Sequence, residues 1–123
     1  VDIPVLGITV SRSSDEQCQK VLALLHEVQD ALEQPQLHED HVICFDQYYG
    51  SSYGDPTPQM LEAVRLAASL EGLLLDPVYS GKAFAGLLDL VRHGYFDTSE
   101  RILFLHTGGA PGLFAYSDCL SEH

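Results

Sequence analysis

The 123 residues read as an α/β domain, a mostly parallel sheet with helices on both faces. Three observations predict this. Short runs at 4–10, 42–45 and 102–105 are apolar on consecutive positions, as strands buried on both faces are. Longer stretches between them repeat apolar residues at helical spacing. The connections are short, and the order strand–helix–strand–helix–helix–strand calls for right-handed parallel crossovers. The length suits one compact domain with a real core and is too short for two.

Pro4-Val5-Leu6-Gly7-Ile8-Thr9-Val10 is the first predicted strand. Ser13 with Glu16 has the spacing of a capping box. Cys18, Val21, Leu22, Leu25, Val28 and Leu32 then mark one face of a helix reaching about Glu33, with Pro35 as its stop. Gln34 to His41 is a polar loop. His38, Glu39, Asp40 and His41 have metal-ligand chemistry, but neighbours on a loop converge poorly on one ion, so a solvated turn is expected. Val42-Ile43-Cys44-Phe45 is a second strand.

After it comes Tyr48-Tyr49-Gly50-Ser51-Ser52-Tyr53-Gly54-Asp55-Pro56, a loop offering aromatic contact area with polar tips. It reads equally well as a packed connection. Thr57 as N-cap and Pro58 at the first helical position start the next helix, which Gly72 closes. Leu73-Leu74-Leu75 stops at Asp76-Pro77, and Val78-Tyr79-Ser80-Gly81 forms a turn. A third helix follows from about Gly81 to His93, closed by Gly94. Ile102-Leu103-Phe104-Leu105 is the third predicted strand, with His106-Thr107-Gly108-Gly109-Ala110-Pro111 at its carboxyl end. Ligands of such sheets bind outside the carboxyl ends of strands, so three loops should converge: 48–55, the Tyr79 turn and 106–112. By chemistry alone the Tyr79 turn is either a ligand turn or a plain helix cap built on Ser80.

Composition excludes several functions. There are 18 Asp+Glu against 6 Lys+Arg, a formal net charge of −12. That balance disfavours nucleic acid and anionic membrane surfaces as partners. No apolar run approaches the ~20 residues of a membrane span. The opening Val1-Asp2-Ile3-Pro4 reads as neither a signal peptide nor a natural start. Cys18, Cys44 and Cys119 are odd in number and lack CxxC spacing, which suits free thiols in a reducing cytoplasm. Cys18 and Cys44 are expected to be buried, and Cys119 to label first. A receiver-like domain fails because Ser11-Arg12 stand where its acidic pair belongs and Lys82 precedes Thr107. A flavodoxin-like site is disfavoured because residues 11–14 hold no glycine.

Two strings are more specific than their chemistry. Asp76-Pro77-Val78-Tyr79-Ser80-Gly81-Lys82, followed by His106-Thr107-Gly108-Gly109-Ala110-Pro111, resembles the D-cysteine desulfhydrase and 1-aminocyclopropane-1-carboxylate deaminase family. The resemblance runs from about Pro4 to Tyr116 and implies a pyridoxal-phosphate enzyme of the tryptophan synthase β-like fold. It implies that the chain is the C-terminal portion of the large, cofactor-binding domain. The Schiff-base lysine and the phosphate-cradling loop would then lie upstream, in a missing N-terminal part of the same enzyme.

The resemblance also assigns roles. Tyr53 matches the loop tyrosine lining the substrate pocket, and Tyr79 the tyrosine beside the cofactor ring, able to stack or act as a phenolic acid or base. Thr107, with Gly108, matches the hydroxyl residue facing the pyridine nitrogen, and Ser80 follows the motif tyrosine at a cofactor-binding position. Ser80 and Thr107 agree with the desulfhydrase pattern, where the deaminases carry Glu and Leu. That favours α,β-elimination from D-cysteine over opening of the cyclopropane substrate. Lys82 belongs to the Tyr79 motif and is expected to be structural or solvated, not the covalent anchor. A homodimer acting on a small amino acid is implied. The competing readings are a deaminase and a non-catalytic α/β binding or structural domain.

Overall fold

The computed structural model describes residues 3–121; the opening Val1-Asp2, and with it the reading of the start, lies outside them. Strands β1 (Leu6–Ile8) and β2 (Ile43–Phe45) pair in parallel, Leu6 beside Ile43 and Ile8 beside Phe45. Helix α1 (Ser14–Ala31) is the crossover between them. It begins where expected, with the Ser13 hydroxyl accepting from the Glu16 amide at 3.3 Å. Asp46, just past β2, accepts from the Ser14 amide at 2.8 Å and so ties the carboxyl end of the sheet to the same helix start.

Strand alternation puts Gly7 and Cys44 on one face and Ile8 and Phe45 on the other. On the first face α1 sets the Cys18 thiol against that of Cys44 and donates from it to the Val42 carbonyl at 3.4 Å. The second face takes α3 (Ser80–Arg92). Gly86 comes so near that a Cβ there would stand 2.7 Å from Ile8 Cδ1. Tyr95, just beyond α3, meets the Phe45 ring edge-on at 5.6 Å. The sheet thus carries helices on both faces.

Helix α2 (Pro58–Glu71) starts at Thr57, whose hydroxyl accepts from the Met60 amide at 3.2 Å, and ends at a left-handed Gly72. Its inner face forms the core: Met60, Val64 and Ala67 with Leu75, joined by Phe84 of α3, Phe104, Leu113 and Leu120. Leu120 lies on α4 (Ser117–Ser121). The Arg65 guanidinium donates to the Cys119 and Leu120 carbonyls at 3.1 and 3.3 Å, satisfying groups that a helix end leaves open. No described helix is long and apolar enough to cross a membrane.

The structure corrects four expectations. Residues 102–105 form no strand, and Leu103 is 91% and Leu105 77% exposed. A strand needs a neighbour for its ladder, and among the described residues the sheet holds only β1 and β2. Only Phe104 turns inward, edge-on to Phe84 at 5.2 Å. For the same reason β1 and β2 are half-buried, not buried on both faces. Cys18 and Cys44 are likewise half-buried, as is Cys119. Finally, α3 begins at Ser80, one residue early, because Asp76 does the capping that Ser80 was expected to do.

Candidate active site

Asp76 organises the site. Its carboxylate accepts from the amides of Val78, Tyr79 and Ser80 at 2.9, 2.8 and 2.7 Å, and from the Ser80 hydroxyl at 2.7 Å. The Ser80 hydroxyl in turn accepts from the Asp76 amide at 2.8 Å. A short polar side chain that bonds to the amides just after it folds the chain back into a turn. Burial pushes the Asp76 carboxyl up, but the four donors together hold it below its ordinary range.

The second string lies against the same residue. Gly109 has φ +91° and approaches Asp76 so closely that a Cβ would stand 2.9 Å from its Cβ and Cγ. Only glycine takes both that angle and that space. One buried carboxylate therefore sets the Tyr79 turn and the 106–112 string beside each other. Thr107 and Gly108 are exposed, and a Cβ on Gly108 would meet nothing within 4 Å, so that stretch faces open space. The Gly108 amide donates to His106 Nδ1 at 3.0 Å.

Tyr53 arrives on the loop after β2. Its hydroxyl lies 2.5 Å from that of Tyr79, with the ring centroids 6.0 Å apart and edge-on. Both rings are about half exposed, Tyr53 57% and Tyr79 51%. The bond to Tyr79 is the main reason that the Tyr53 phenol is held above its ordinary value, with partial burial and the Asp76 carboxylate adding to it. Tyr79 also borders a cleft of about 260 Å³ at the carboxyl end of β1, with Thr9, Val10 and Arg12. The structure thus brings together Tyr53 and Tyr79, and sets Thr107 and Gly108 in the string beside the turn. Ser80 is also in the turn, but buried, with its hydroxyl engaged by Asp76. Lys82 is wholly buried and donates from Nζ to the Tyr49 carbonyl at 2.7 Å, which rules out the solvated reading.

Three participants escaped the sequence. Asp76 reads there as the end of an apolar run, although an Asp four residues before a Ser at a helix start is a recognisable turn signal. Tyr116 holds the Tyr53 loop by donating to the Gly54 carbonyl at 2.7 Å. Tyr48 anchors the loop's start on Asp89 at 2.8 Å. Nothing local announces these last two contacts. Elsewhere His38, Glu39 and Asp40 bring ligand atoms within 4.8 Å of one another, all of them exposed.

A parallel α/β sheet with a phenol pair and a glycine string at one buried carboxylate defines a class of protein as well as a geometry. Residues 2–108 match the family of pyridoxal-phosphate-dependent enzymes, and the chain belongs to it. Among its relatives are proteins named D-cysteine desulfhydrase from Salmonella newport and Salmonella typhimurium. Each is 49% identical over 115 residues, covering 94% of this chain and 34% of the relative. A solved structure described as an ACC deaminase homologue superposes with a TM-score of 0.82 at 38% identity, over 94% of this chain and 34% of its own. The chain therefore spans about a third of the length of the relatives it matches.

The residues present suit one side of pyridoxal phosphate. Two exposed phenols stand where a ring edge can lie, and the open Thr107–Gly108 stretch leaves room beside them. Its aldehyde and phosphate find no match among the described residues. Lys20 and Lys82 are the chain's lysines; Lys82 is sealed and Lys20 stands mid-helix in α1.

Proposed function

We propose that this chain is the C-terminal portion of the cofactor-binding domain of a longer pyridoxal-phosphate lyase and forms one wall of its active site. The reaction is α,β-elimination from D-cysteine to pyruvate, ammonia and hydrogen sulfide. The observation that carries this reading is the Tyr53–Tyr79 phenol pair, held beside the Thr107–Gly108 string by Asp76. When bound, the cofactor supplies the electron sink for charge at the substrate's α-carbon.

The chain's own residues then act as follows. Tyr79 would flank the ring, and its phenolic oxygen would serve as the proton-holding group on the substrate side. Tyr53, hydrogen-bonded to Tyr79 at 2.5 Å and with its phenol held above its ordinary value, keeps its own proton near neutrality and closes the substrate side. Thr107 would offer a neutral hydroxyl to the ring nitrogen, which would temper the sink. Ser80 acts through its small size and through the turn, since its hydroxyl is engaged by Asp76. The remaining polypeptide supplies the lysine and the phosphate cradle, and covers α1 and residues 102–105. The enzyme works in the cytoplasm as a homodimer.

Comparing kcat/KM for D-cysteine and 1-aminocyclopropane-1-carboxylate in the complete enzyme tests the substrate. The desulfhydrase reading expects D-cysteine to be preferred, and it is supported by the 49% identical relatives and by Ser80 and Thr107. A preference for the cyclopropane substrate assigns a deaminase instead. For the 123 residues alone, pyridoxal phosphate followed by borohydride should give no stoichiometric adduct. An adduct on Lys82 with elimination activity would overturn the assignment of the lysine to the remaining polypeptide.

A further inference from the structure

The loop carrying Tyr53 is held from α3, and its conformation leaves little slack. Gly50 and Gly54 have φ of +82° and +79°, angles that glycine takes without strain. A Cβ on Gly50 would stand 2.6 Å from Asp55 Oδ2 and 2.7 Å from Thr57 Cγ2, so the loop is folded tightly on itself. Asp55 closes it by accepting from the Ser51 amide and hydroxyl at 2.8 and 2.9 Å. Two residues of α3, Lys82 and Asp89, sit seven positions apart on one helix face and grip consecutive loop residues. Asp89 takes the Tyr48 hydroxyl, and the Lys82 ammonium takes the Tyr49 carbonyl at 2.7 Å.

A buried ammonium is costly unless it is paired and hydrogen-bonded. Lys82 is wholly buried, and burial lowers its affinity for the proton, an effect that the charge of Asp55 partly offsets. Asp55 in turn is drawn below its ordinary range by the Ser51 amide and hydroxyl, with Lys82 adding to the effect. Lys82 thus grips the loop at Tyr49, four residues before Tyr53, and Asp55, two residues after Tyr53, ties it to Ser51. The same lysine lies three residues after Tyr79, on the helix that Tyr79 opens.

We propose that Lys82, acting with Asp55 across the loop, is a positioning residue that holds the Tyr53 hydroxyl against that of Tyr79. The ammonium never touches substrate or cofactor. It fixes the backbone at Tyr49, and that sets how far the loop tip reaches toward the helix start. The inference rests on the active-site role given above to the phenol pair.

The test reads the pair without cofactor or substrate. Tyrosine labelled at Cζ with ¹³C, in the full chain, gives each phenol its own titration curve, and Tyr53→Phe identifies the Tyr53 signal. The groups facing Tyr53 are Tyr79, Tyr116 and Asp76, and none is altered by the variants. In Lys82→Met the Tyr53 titration should move down toward that of an ordinary tyrosine, while Tyr95, which packs on Phe45, keeps its curve. Asp55→Ala should shift Tyr53 the same way by less. An unmoved Tyr53 in a folded Lys82→Met chain overturns the proposal. Should Lys82→Met fail to fold, an unmoved Tyr53 in Asp55→Ala overturns it. Either result leaves the lyase reading standing, whereas loss of D-cysteine preference in the complete enzyme sinks that reading and leaves this geometry intact.

Discussion

The two halves of the molecule treat their apolar residues in opposite ways. Around α2 and α3 the inward-facing residues are satisfied internally: Met60 and Leu75 are wholly buried, and Lys82 and Asp76 are sealed in with partners, while Leu70 and Val91 on the outer faces stay 72% and 50% exposed. Around α1 they are not. Val28 and Leu32 on the predicted stripe are 46% and 64% exposed, and Leu24 on the same helix is bare. Beside α1 and the start of β1, an apolar groove of about 730 Å³ is lined by Val5, Val21, Leu25, Leu37 and Ile43. The lesson is that a helical or strand-like apolar period states a demand for a neighbour without saying where the neighbour is. One half meets that demand within its own residues. The other presents contiguous apolar surface of the kind that marks an interaction face, which fits a chain spanning a third of its relatives' length.

The sharpest way to break this contrast is to strike the centre of the closed half. Asp76→Ala strands three amides and a hydroxyl that now share one buried acceptor. It should cost on the order of 3 kcal/mol, a large share of a typical domain's stability. Urea unfolding followed by circular dichroism measures it, and a loss below about 1 kcal/mol would deny Asp76 its central place. The same carboxylate gives a pH signature. Its value is lowered in the folded state, so its contribution is complete above the ordinary 3.8 and drains away as the pH falls below it. Asp76→Asn should flatten the acid limb of the stability curve.

The boundary between the halves is sharpened by thiol chemistry. Cys44 lies under α1, and burial together with Cys18 pushes its thiol up to about 11, against an ordinary 9.0. Reaction with a disulfide reagent at pH 8 should therefore be roughly a hundredfold slower at Cys44 than at an ordinary thiol, because the thiolate is the reactive form. Fast labelling of Cys44 would mean that α1 does not stay on the sheet.

The smallest effect belongs to the exposed side of residues 102–105, the edge of the α2/α3 half that lacks a neighbour. Leu103→Asp in the 123-residue chain should alter stability by no more than ~0.5 kcal/mol, as surface changes do, since the side chain is 91% exposed. In the complete enzyme the same change should cost several times more if residues 102–105 are covered there. Equal effects in both contexts would remove the distinction between a satisfied and an unsatisfied half.

The sequence was most legible where a signal is local. Ser13, Thr57-Pro58, Gly72 and Gly94 marked helix ends correctly because caps depend on a few neighbouring residues. The two strings and the tyrosine loop were found, and Tyr53 does meet Tyr79. Reading 102–105 as a buried strand failed because a short apolar run reports a preference, while pairing requires a second strand in reach. The contacts that hold the site, Tyr116 to Gly54 and Lys82 to Tyr49, join residues 62 and 33 positions apart. No spacing rule reaches that far.

The sealed Lys82 makes the molecule its own reporter of breathing. Its only companion amine on a side chain is Lys20, which is exposed on α1. An acylating reagent can therefore modify Lys20 at once, but reaches Lys82 only in moments when α3 and the tyrosine loop part. The ratio of the two rates, corrected for intrinsic reactivity, gives the free energy of that local opening without any label being introduced. A ligand that packs on the Tyr53–Tyr79 pair and braces the loop would lengthen the lag at Lys82 while leaving Lys20 untouched.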